Sequence, residues 1–201
     1  MKTNLSEIKE LAEELIDTYA LTIPVHIFEL ADLMGIKWKT CTTEQIQKVI
    51  QQNGNHTQET ISDWNDVLGY FDPKEERIYL NDDNQPITRK RFTMAHEIAH
   101  NVLHHSLDSL LRRVFLRQDI IIPRDSIEAE ANYFAGYLLM PDKTMKERLK
   151  YIVLMGNGEQ IVKTFAKTFA VSSEAMRIRF KTFKQEYPEL WKEFNLDEKL
   201  F

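Results

Sequence analysis

Apolar residues recur at helical spacing along most of this chain, and strand-like patterns interrupt them at three places. Two helical patterns occupy the N-terminal region: the first runs from Leu5 to Tyr19, and the second follows Pro24 and ends at Gly35. Strand-like patterns occur at 36–41, 67–72 and 76–81. The turn formers Asp-Pro-Lys-Glu at 72–75 join the last two strands into a hairpin. The pattern predicts an α+β protein in which a small antiparallel sheet precedes a long apolar helix that begins near Ile87.

Helical spacing returns after this apolar helix and continues toward the C-terminus. The segments that fit helices are 106–117, 126–141, 145–155, 161–183 and 188–201, and 120–123 reads as an extended apolar stretch. Within 161–183 the pattern is that of a helix–turn–helix, with Ser172 as the cap of the second helix. We therefore predict two units, residues 1–142 and a helical C-terminal module of residues 143–201.

The composition narrows the class of protein without identifying it. A hydrophobic share of 43% supports a proper core, and the net charge of -5 carries no overall signature of nucleic-acid binding. Cys41 is the only cysteine, so no internal disulfide can form, which suits a reducing compartment. The N-terminus has no signal-peptide pattern, and no apolar run reaches ~18 residues. These features predict a soluble, cytoplasmic protein.

The apolar helix carries the motif His-Glu-Ile-Ala-His at residues 96–100. Residues four apart lie on one face of a helix, so His96 and His100 can bind one zinc ion through their imidazole nitrogens. Glu97 lies about 100° around the helix, where a carboxylate reaches a water at the metal without binding the metal. Two histidine ligands and a glutamate base are typical of zinc metallopeptidases. The apolar helix argues against a solvated face that carries two histidines by chance.

A catalytic zinc site needs a third protein ligand and an open position. The segment 126–141 offers Glu128 and Glu130. On a helical wheel, Glu128 shares its face with small and apolar residues that allow a close approach to the zinc helix. Glu130 falls on the other side, with two tyrosines. We therefore predict Glu128 as the third metal ligand beside His96 and His100, with Glu97 as the catalytic base.

The sequence does not identify the group that stabilises the negative charge on the reacting carbonyl oxygen. The candidates are Tyr70, His104, His105, Tyr133 and Tyr137. His104 continues the helical series of His96 and His100, and we predict that it packs beside the metal ligands rather than acting as this donor. We also expect one of the strands at 67–72 and 76–81 to form an exposed edge beside the metal, where an extended substrate would pair.

The two motifs together resemble the ImmA/IrrE family of zinc metallopeptidases. They are HEIAHNVLH at 96–104 and EAEANYFAGYLLMP at 128–141, and the resemblance covers about Tyr70 to Pro141. It implies a zincin-like, gluzincin-type fold with zinc on His96, His100 and Glu128. It also implies that Glu97 is the base and that the substrate is a regulatory protein such as a transcriptional repressor.

Two further residues take their meaning from the resemblance. The family often has glycine before the second histidine, where this chain has Ala99, a residue that favours the helix. In other gluzincins an acidic residue one turn past the glutamate ligand binds a metal-bound histidine. Asn132 occupies that position here. Its amide oxygen can accept a hydrogen bond from His96 or His100, and the resemblance favours His96.

An alternative function is a regulatory protein that binds DNA or a partner and holds zinc only for structure. Basic side chains concentrate around the helix–turn–helix pattern: Lys163, Lys167, Arg177, Arg179, Lys181 and Lys184. The overall acidity nevertheless favours a module that packs on the rest of the chain or docks a protein over one that enters the major groove. Glu97 separates the two functions, because a structural zinc site needs no base.

Overall fold

The computed structural model describes residues 5–53, 63–72, 74–83, 85–103, 114–116, 126–151 and 157–195. In chain order the elements are α1 (Leu5–Thr18), α2 (Ile27–Leu33), β1 (Lys37–Cys41), α3 (Thr43–Gln52), β2 (Val67–Asp72), β3 (Arg77–Asn81), α4 (Ile87–Val102), β4 (Val114–Leu116), α5 (Ser126–Leu139), α6 (Asp142–Leu149), α7 (Gly158–Phe169), α8 (Ser173–Glu186) and α9 (Pro188–Glu193). The α+β class, the hairpin and the helix from Ile87 are as the sequence predicts.

The four strands form one sheet in the order β1-β3-β2-β4. β2 is antiparallel to both β3 and β4, whereas β1 runs parallel to β3. The expectation of a purely antiparallel sheet is therefore wrong. β1 and β3 are separated in the chain by α3 and β2, and a connection of this length allows the parallel pairing.

The sheet order also changes the expectation for an exposed edge. β2 and β3 each have a neighbour on both sides, so neither strand offers a free edge to a substrate. The outer strands among the described residues are β1 and β4. β4 falls inside 106–117, which was predicted as a helix, and at 114–116 that prediction is wrong. The apolar tripeptide 114–116 is compatible with a helix or a strand. Its pairing with β2 selects the strand.

The helix that carries the His-Glu-Ile-Ala-His motif packs closely on α5. Small, fully buried side chains lie on both helices, Ala95 and Ala99 on α4 and Ala131 and Ala135 on α5. Alanine at these positions lets two helix backbones approach each other, which brings the polar residues of the two helices within reach. The close packing of α4 on α5 therefore lets residues that are far apart in the chain form one site.

The C-terminal helices share the main hydrophobic core with α4 and α5. Phe165, Phe169, Phe180, Phe183 and Trp191 belong to the same buried cluster as the alanines of α4 and α5. This arrangement is the packed one that the sequence favoured for the helical module. The division of the chain into two units at residues 142 and 143 stays a prediction.

A buried arginine joins the metal-motif helix to the turn of the helix–turn–helix. Arg91 of α4 donates from Nε to the carbonyl of Ala170 at 2.9 Å and from its terminal nitrogen to the carbonyl of Phe169 at 3.4 Å. Ala170 ends α7 with a φ of 52°, in the left-handed region. The guanidinium of Arg91 therefore satisfies carbonyls at the C-terminal, negative end of α7. It also fixes this turn against α4.

A second buried cluster of charges fastens α8 to α1 and α6. The Asp142 carboxylate binds Arg179, Lys9 and the hydroxyl of Tyr187, and Asp142 and Arg179 are each 3% exposed. Burial would raise the pKa of Asp142, but the charge of Arg179 and the hydrogen bonds from Lys9 and Tyr187 bring it below its ordinary value of 3.8. The carboxylate therefore stays ionised at neutral pH.

Replacing Asp142 by alanine should destabilise the fold by about 3–5 kcal/mol, because it leaves Arg179 buried without its main partner. Glu159→Ala, which removes the ion pairs of Glu159 with Arg177 and Lys163 at the protein surface, is the control and should change stability little. Because the pKa of Asp142 is lowered on folding, its contribution is present above pH ~4 and disappears as the pH falls through the lowered pKa. Urea unfolding from pH ~7 to pH ~3 measures both effects; equal losses in the two variants would contradict the assignment.

Within the described part of the chain, no helix has the length and apolar content that a membrane span requires. The cytoplasmic location stays a prediction.

Candidate metal centre

Two histidines of the motif lie side by side in the interior of the protein. His96 and His100, one turn apart on α4, are 5% and 2% exposed. Their Nε2 atoms are 2.9 Å apart, and the ring planes are inclined at 75°. Both imidazoles therefore direct the same nitrogen toward one point, as two ligands of a single ion do.

Glu128 of α5 completes this group from the opposite helix. Its Oε2 lies 3.0 Å from His96 Nε2, and its Oε1 lies 3.8 Å from His100 Nε2. Within the ranges that the structure describes, His96, His100 and Glu128 are the cluster whose donor atoms lie within 4.8 Å of one another. Glu130 does not belong to that cluster, in agreement with the helical-wheel argument. The roles of these residues in binding metal stay predictions.

The chemistry of this cluster fits a divalent metal. Two imidazole nitrogens and one carboxylate are the protein ligands of a common class of catalytic zinc site, which leaves a further position for water or substrate. A carboxylate held between two buried histidines is costly without a cation, because it loses much of its hydration there. The side chain of Glu128 remains 15% exposed, so the cluster retains access from one side.

Glu97 is buried beside the two histidines, with 4% of its surface exposed. Burial opposes protonation of His96, but a hydrogen bond with Glu128 and the charges of Glu97 and Glu128 raise the pKa of His96 overall. The charge of Glu97 therefore acts on His96, one of the predicted metal ligands. It does so from the neighbouring position on α4, outside the cluster of donor atoms.

Asn132 contacts His96 from the side opposite the cluster. Its Oδ1 atom lies 2.9 Å from His96 Nδ1, the contact that the family resemblance led us to expect. An oxygen at this position accepts from Nδ1–H, which leaves the lone pair of Nε2 directed into the cluster. This is the tautomer that a metal-binding histidine needs. The effect of Asn132 on metal binding stays a prediction.

We expect Asn132→Ala to weaken zinc binding by roughly 10–100-fold, because His96 loses the acceptor that fixes its tautomer. Asn132→Asp retains an acceptor and should keep zinc and activity. The zinc dissociation constant of each variant, measured by competition with a chromophoric chelator, checks this result. An unchanged constant in Asn132→Ala would show that Asn132 has no part in metal binding.

The structure gives less support to the candidate donors for the reacting carbonyl oxygen of the substrate. His104 and His105 lie outside the described residues. The hydroxyl of Tyr137 donates to Glu186 of α8, and that of Tyr70 accepts from Asn53 at 3.3 Å, so both are engaged in other contacts. Tyr133 is 39% exposed on α5, one residue after Asn132. The described structure does not single out one of them.

The structure is an α+β fold in which His96, His100 and Glu128 form a cluster that could hold a metal ion between two packed helices. The sequence model described as the IrrE N-terminal-like domain, a peptidase family, matches residues 50–181, about two-thirds of the chain. This chain belongs to that family.

Two curated relatives share part of the sequence. Metallopeptidase ImmA of Bacillus subtilis is 32% identical over 74 residues, which cover 37% of this chain and 41% of the relative. Radiation response metalloprotease IrrE of Deinococcus radiodurans is 36% identical over 87 residues, which cover 43% of this chain and 25% of the relative. The matched segments thus span less than half the length of either relative. Both names state a metal-dependent proteolytic activity for those proteins.

Proposed function

We propose that this protein is a zinc-dependent endopeptidase that cleaves a specific regulatory protein, such as a transcriptional repressor. The single observation that carries the proposal is the cluster of His96, His100 and Glu128 with Glu97 adjacent on the same helix. Membership of a peptidase family and the names of the two relatives support the activity. The repressor class of substrate rests on the resemblance to the ImmA/IrrE family.

His96, His100 and Glu128 would hold the metal, and Asn132 would orient His96. When bound there, zinc supplies a Lewis acid that polarises the scissile carbonyl and lowers the pKa of water toward ~7. Glu97 accepts a proton from the attacking water on a carboxylate oxygen and returns it to the leaving amine. Its burial removes competing solvent from this transfer, which strengthens the interaction of the carboxylate with the charges that develop.

The alternative, a DNA-binding regulator with structural zinc, loses support at the helix–turn–helix. Lys163 and Arg177 both pair with Glu159, at 3.4 Å in the case of Lys163. Arg179 is buried against Asp142 and is not at the surface. Part of the basic character that the sequence suggested is therefore neutralised within the protein. A structural site also gives no role to a buried carboxylate in the position of Glu97.

The substrate proposal is tested by incubating the zinc-loaded protein with the repressor-type regulator encoded next to its gene. We expect one or a few defined cuts, located by mass spectrometry of the new termini. Cleavage should stop with a chelator and return when zinc is added back. Cleavage that is indifferent to the chelator would contradict a metallopeptidase, whereas an intact regulator would contradict this choice of substrate.

A further inference from the structure

Thr93 of α4 carries a buried hydroxyl group that the proposed peptidase mechanism does not use. The side chain is 3% exposed. Within the described part of the chain, its hydroxyl oxygen Oγ1 has no hydrogen-bond partner. Burying a hydroxyl group without a hydrogen bond costs free energy. Valine has nearly the same shape and avoids that cost, so the stability of the fold gives no reason for threonine at this position.

The hydroxyl of Thr93 does not use the partner that is usual inside a helix. A threonine hydroxyl in a helix commonly bonds to the backbone carbonyl three or four residues earlier. Thr168 of α7 and Thr182 of α8 follow this pattern, with Oγ1 donating to the carbonyl of Thr164 at 3.0 Å and to that of Ile178 at 3.4 Å. Thr93 makes no such bond to α4. Its hydroxyl is therefore available to a side chain beside it.

Thr93 lies on the face of α4 that carries the two histidines and the predicted base. By the 3.6-residue period, Thr93 falls between His96 and Glu97 around the helix axis and within about 20° of His100. These four side chains are all buried, with exposed fractions between 2% and 5%. The hydroxyl of Thr93 therefore belongs to the same interior face as the metal cluster.

Glu97 is the polar side chain that Thr93 reaches most readily on this face. Residues four apart on a helix are neighbours, with Cβ atoms about 5–6 Å apart. Helical side chains lean toward the N-terminus, so the Glu97 side chain extends over the turn that contains Thr93. The two side chains are not hydrogen-bonded to each other in the structure. A change of rotamer in either one brings the hydroxyl and the carboxylate together.

A hydrogen bond from Thr93 would suit the role of Glu97 as a base. The carboxylate has two oxygen atoms, and each can accept hydrogen bonds. One oxygen accepts from the Thr93 hydroxyl, which fixes the rotation of the carboxylate. The other oxygen takes the proton of the attacking water and returns it to the leaving amine. Thr93 keeps its own proton throughout, so its part is to orient the base.

From these observations we propose that Thr93 is a positioning residue for Glu97. Its hydroxyl donates to one carboxylate oxygen during the reaction and turns the other oxygen toward the metal cluster. The inference rests on the proposed peptidase function, and it adds to that function a residue outside the predicted ligands and base. It also accounts for a buried hydroxyl group that contributes nothing to the fold.

Thr93→Val separates this role from a structural one, because it removes the hydroxyl and keeps the shape of the side chain. We expect the metal-free variant to unfold at the same urea concentration as the parent or at a higher one. Its zinc dissociation constant should match that of the parent, because Thr93 is not a ligand. A clear loss of stability in Thr93→Val would show that the hydroxyl supports the fold, and it would overturn the inference.

Cleavage kinetics of the zinc-loaded protein test the role of Thr93 in the reaction. We expect Thr93→Val to lower kcat about tenfold or more at an unchanged KM, because a misplaced base slows proton transfer without weakening substrate binding. Thr93→Ser keeps the hydroxyl and should recover most of kcat. Thr168→Val makes the same chemical change on α7 and is the matched control, which should cleave as the parent does.

A double variant shows whether Thr93 acts through Glu97. Thr93→Val should not slow the residual cleavage by Glu97→Ala any further, because the group that it positions is already missing. The inference would be overturned by parent kcat in Thr93→Val, by Thr93→Ser as slow as Thr93→Val, or by an equal further loss in the Glu97→Ala background. Each of these results leaves the peptidase function intact, since the parent still cleaves. A zinc-loaded parent without peptidase activity would instead contradict the proposed function, and the inference with it.

Discussion

Glu97→Gln should retain one zinc per chain and lose peptidase activity by about 10²–10⁴-fold, the usual contribution of a general acid–base group. Glutamine has nearly the same size and leaves His96, His100 and Glu128 in place, so metal binding should survive. It cannot accept the proton of the attacking water. Zinc content and cleavage are measured on the same preparation, because a variant that loses both would report a damaged site rather than a missing base.

Full activity in Glu97→Gln would contradict the assigned base. Glu97→Asp is the informative companion, because it keeps the carboxylate but withdraws it by one methylene. We expect Glu97→Asp to recover part of the activity, since proton transfer depends on the distance between the carboxylate and the water.

The second large effect is expected at the third ligand. Glu128→Ala removes one of three protein donors, and we expect its zinc affinity to fall by more than the ~10–100-fold expected for a residue that acts through a ligand. Glu130→Ala is the matched control, because Glu130 lies on the same helix two residues away and outside the cluster. It should bind zinc and cleave substrate like the parent.

The comparison of these two variants decides which face of α5 holds the metal. If Glu130→Ala loses zinc while Glu128→Ala keeps it, then the assignment of the face is wrong. The argument for Asn132 would fall at the same time, because Asn132 lies one turn after Glu128 on that face. Circular dichroism spectra of both variants exclude general unfolding as the cause of a loss.

Local periodicity predicted much of the candidate site. His96 and His100 are four residues apart in one helix, and the face of α5 that carries Glu128 follows from the same 3.6-residue period. The contact between Asn132 and His96 came from the resemblance to a known family, and the structure shows the two atoms together. These positions could be predicted from the sequence because each depends on residues close together in the chain or on a known motif.

The remaining features depend on contacts between distant parts of the chain, which periodicity does not encode. β1 pairs with β3 across α3 and β2, and β4 pairs with β2 although its apolar residues also fit a helical pattern. Arg179 was grouped with the basic residues of a possible DNA-binding surface. Arg179 is instead buried against Asp142, which lies 37 residues earlier in the chain.

The central claim is that this His-His-Glu cluster is a catalytic zinc site, and zinc titration into the metal-free protein tests it most directly. Zinc binding and cleavage of the identified protein substrate are followed together in the parent and in Glu97→Gln. The account predicts that cleavage by the parent rises in proportion to bound zinc and stops rising at one zinc per chain, while Glu97→Gln binds the same zinc without cleavage. Cleavage by metal-free parent protein, or by zinc-loaded Glu97→Gln at the rate of the parent, would contradict it.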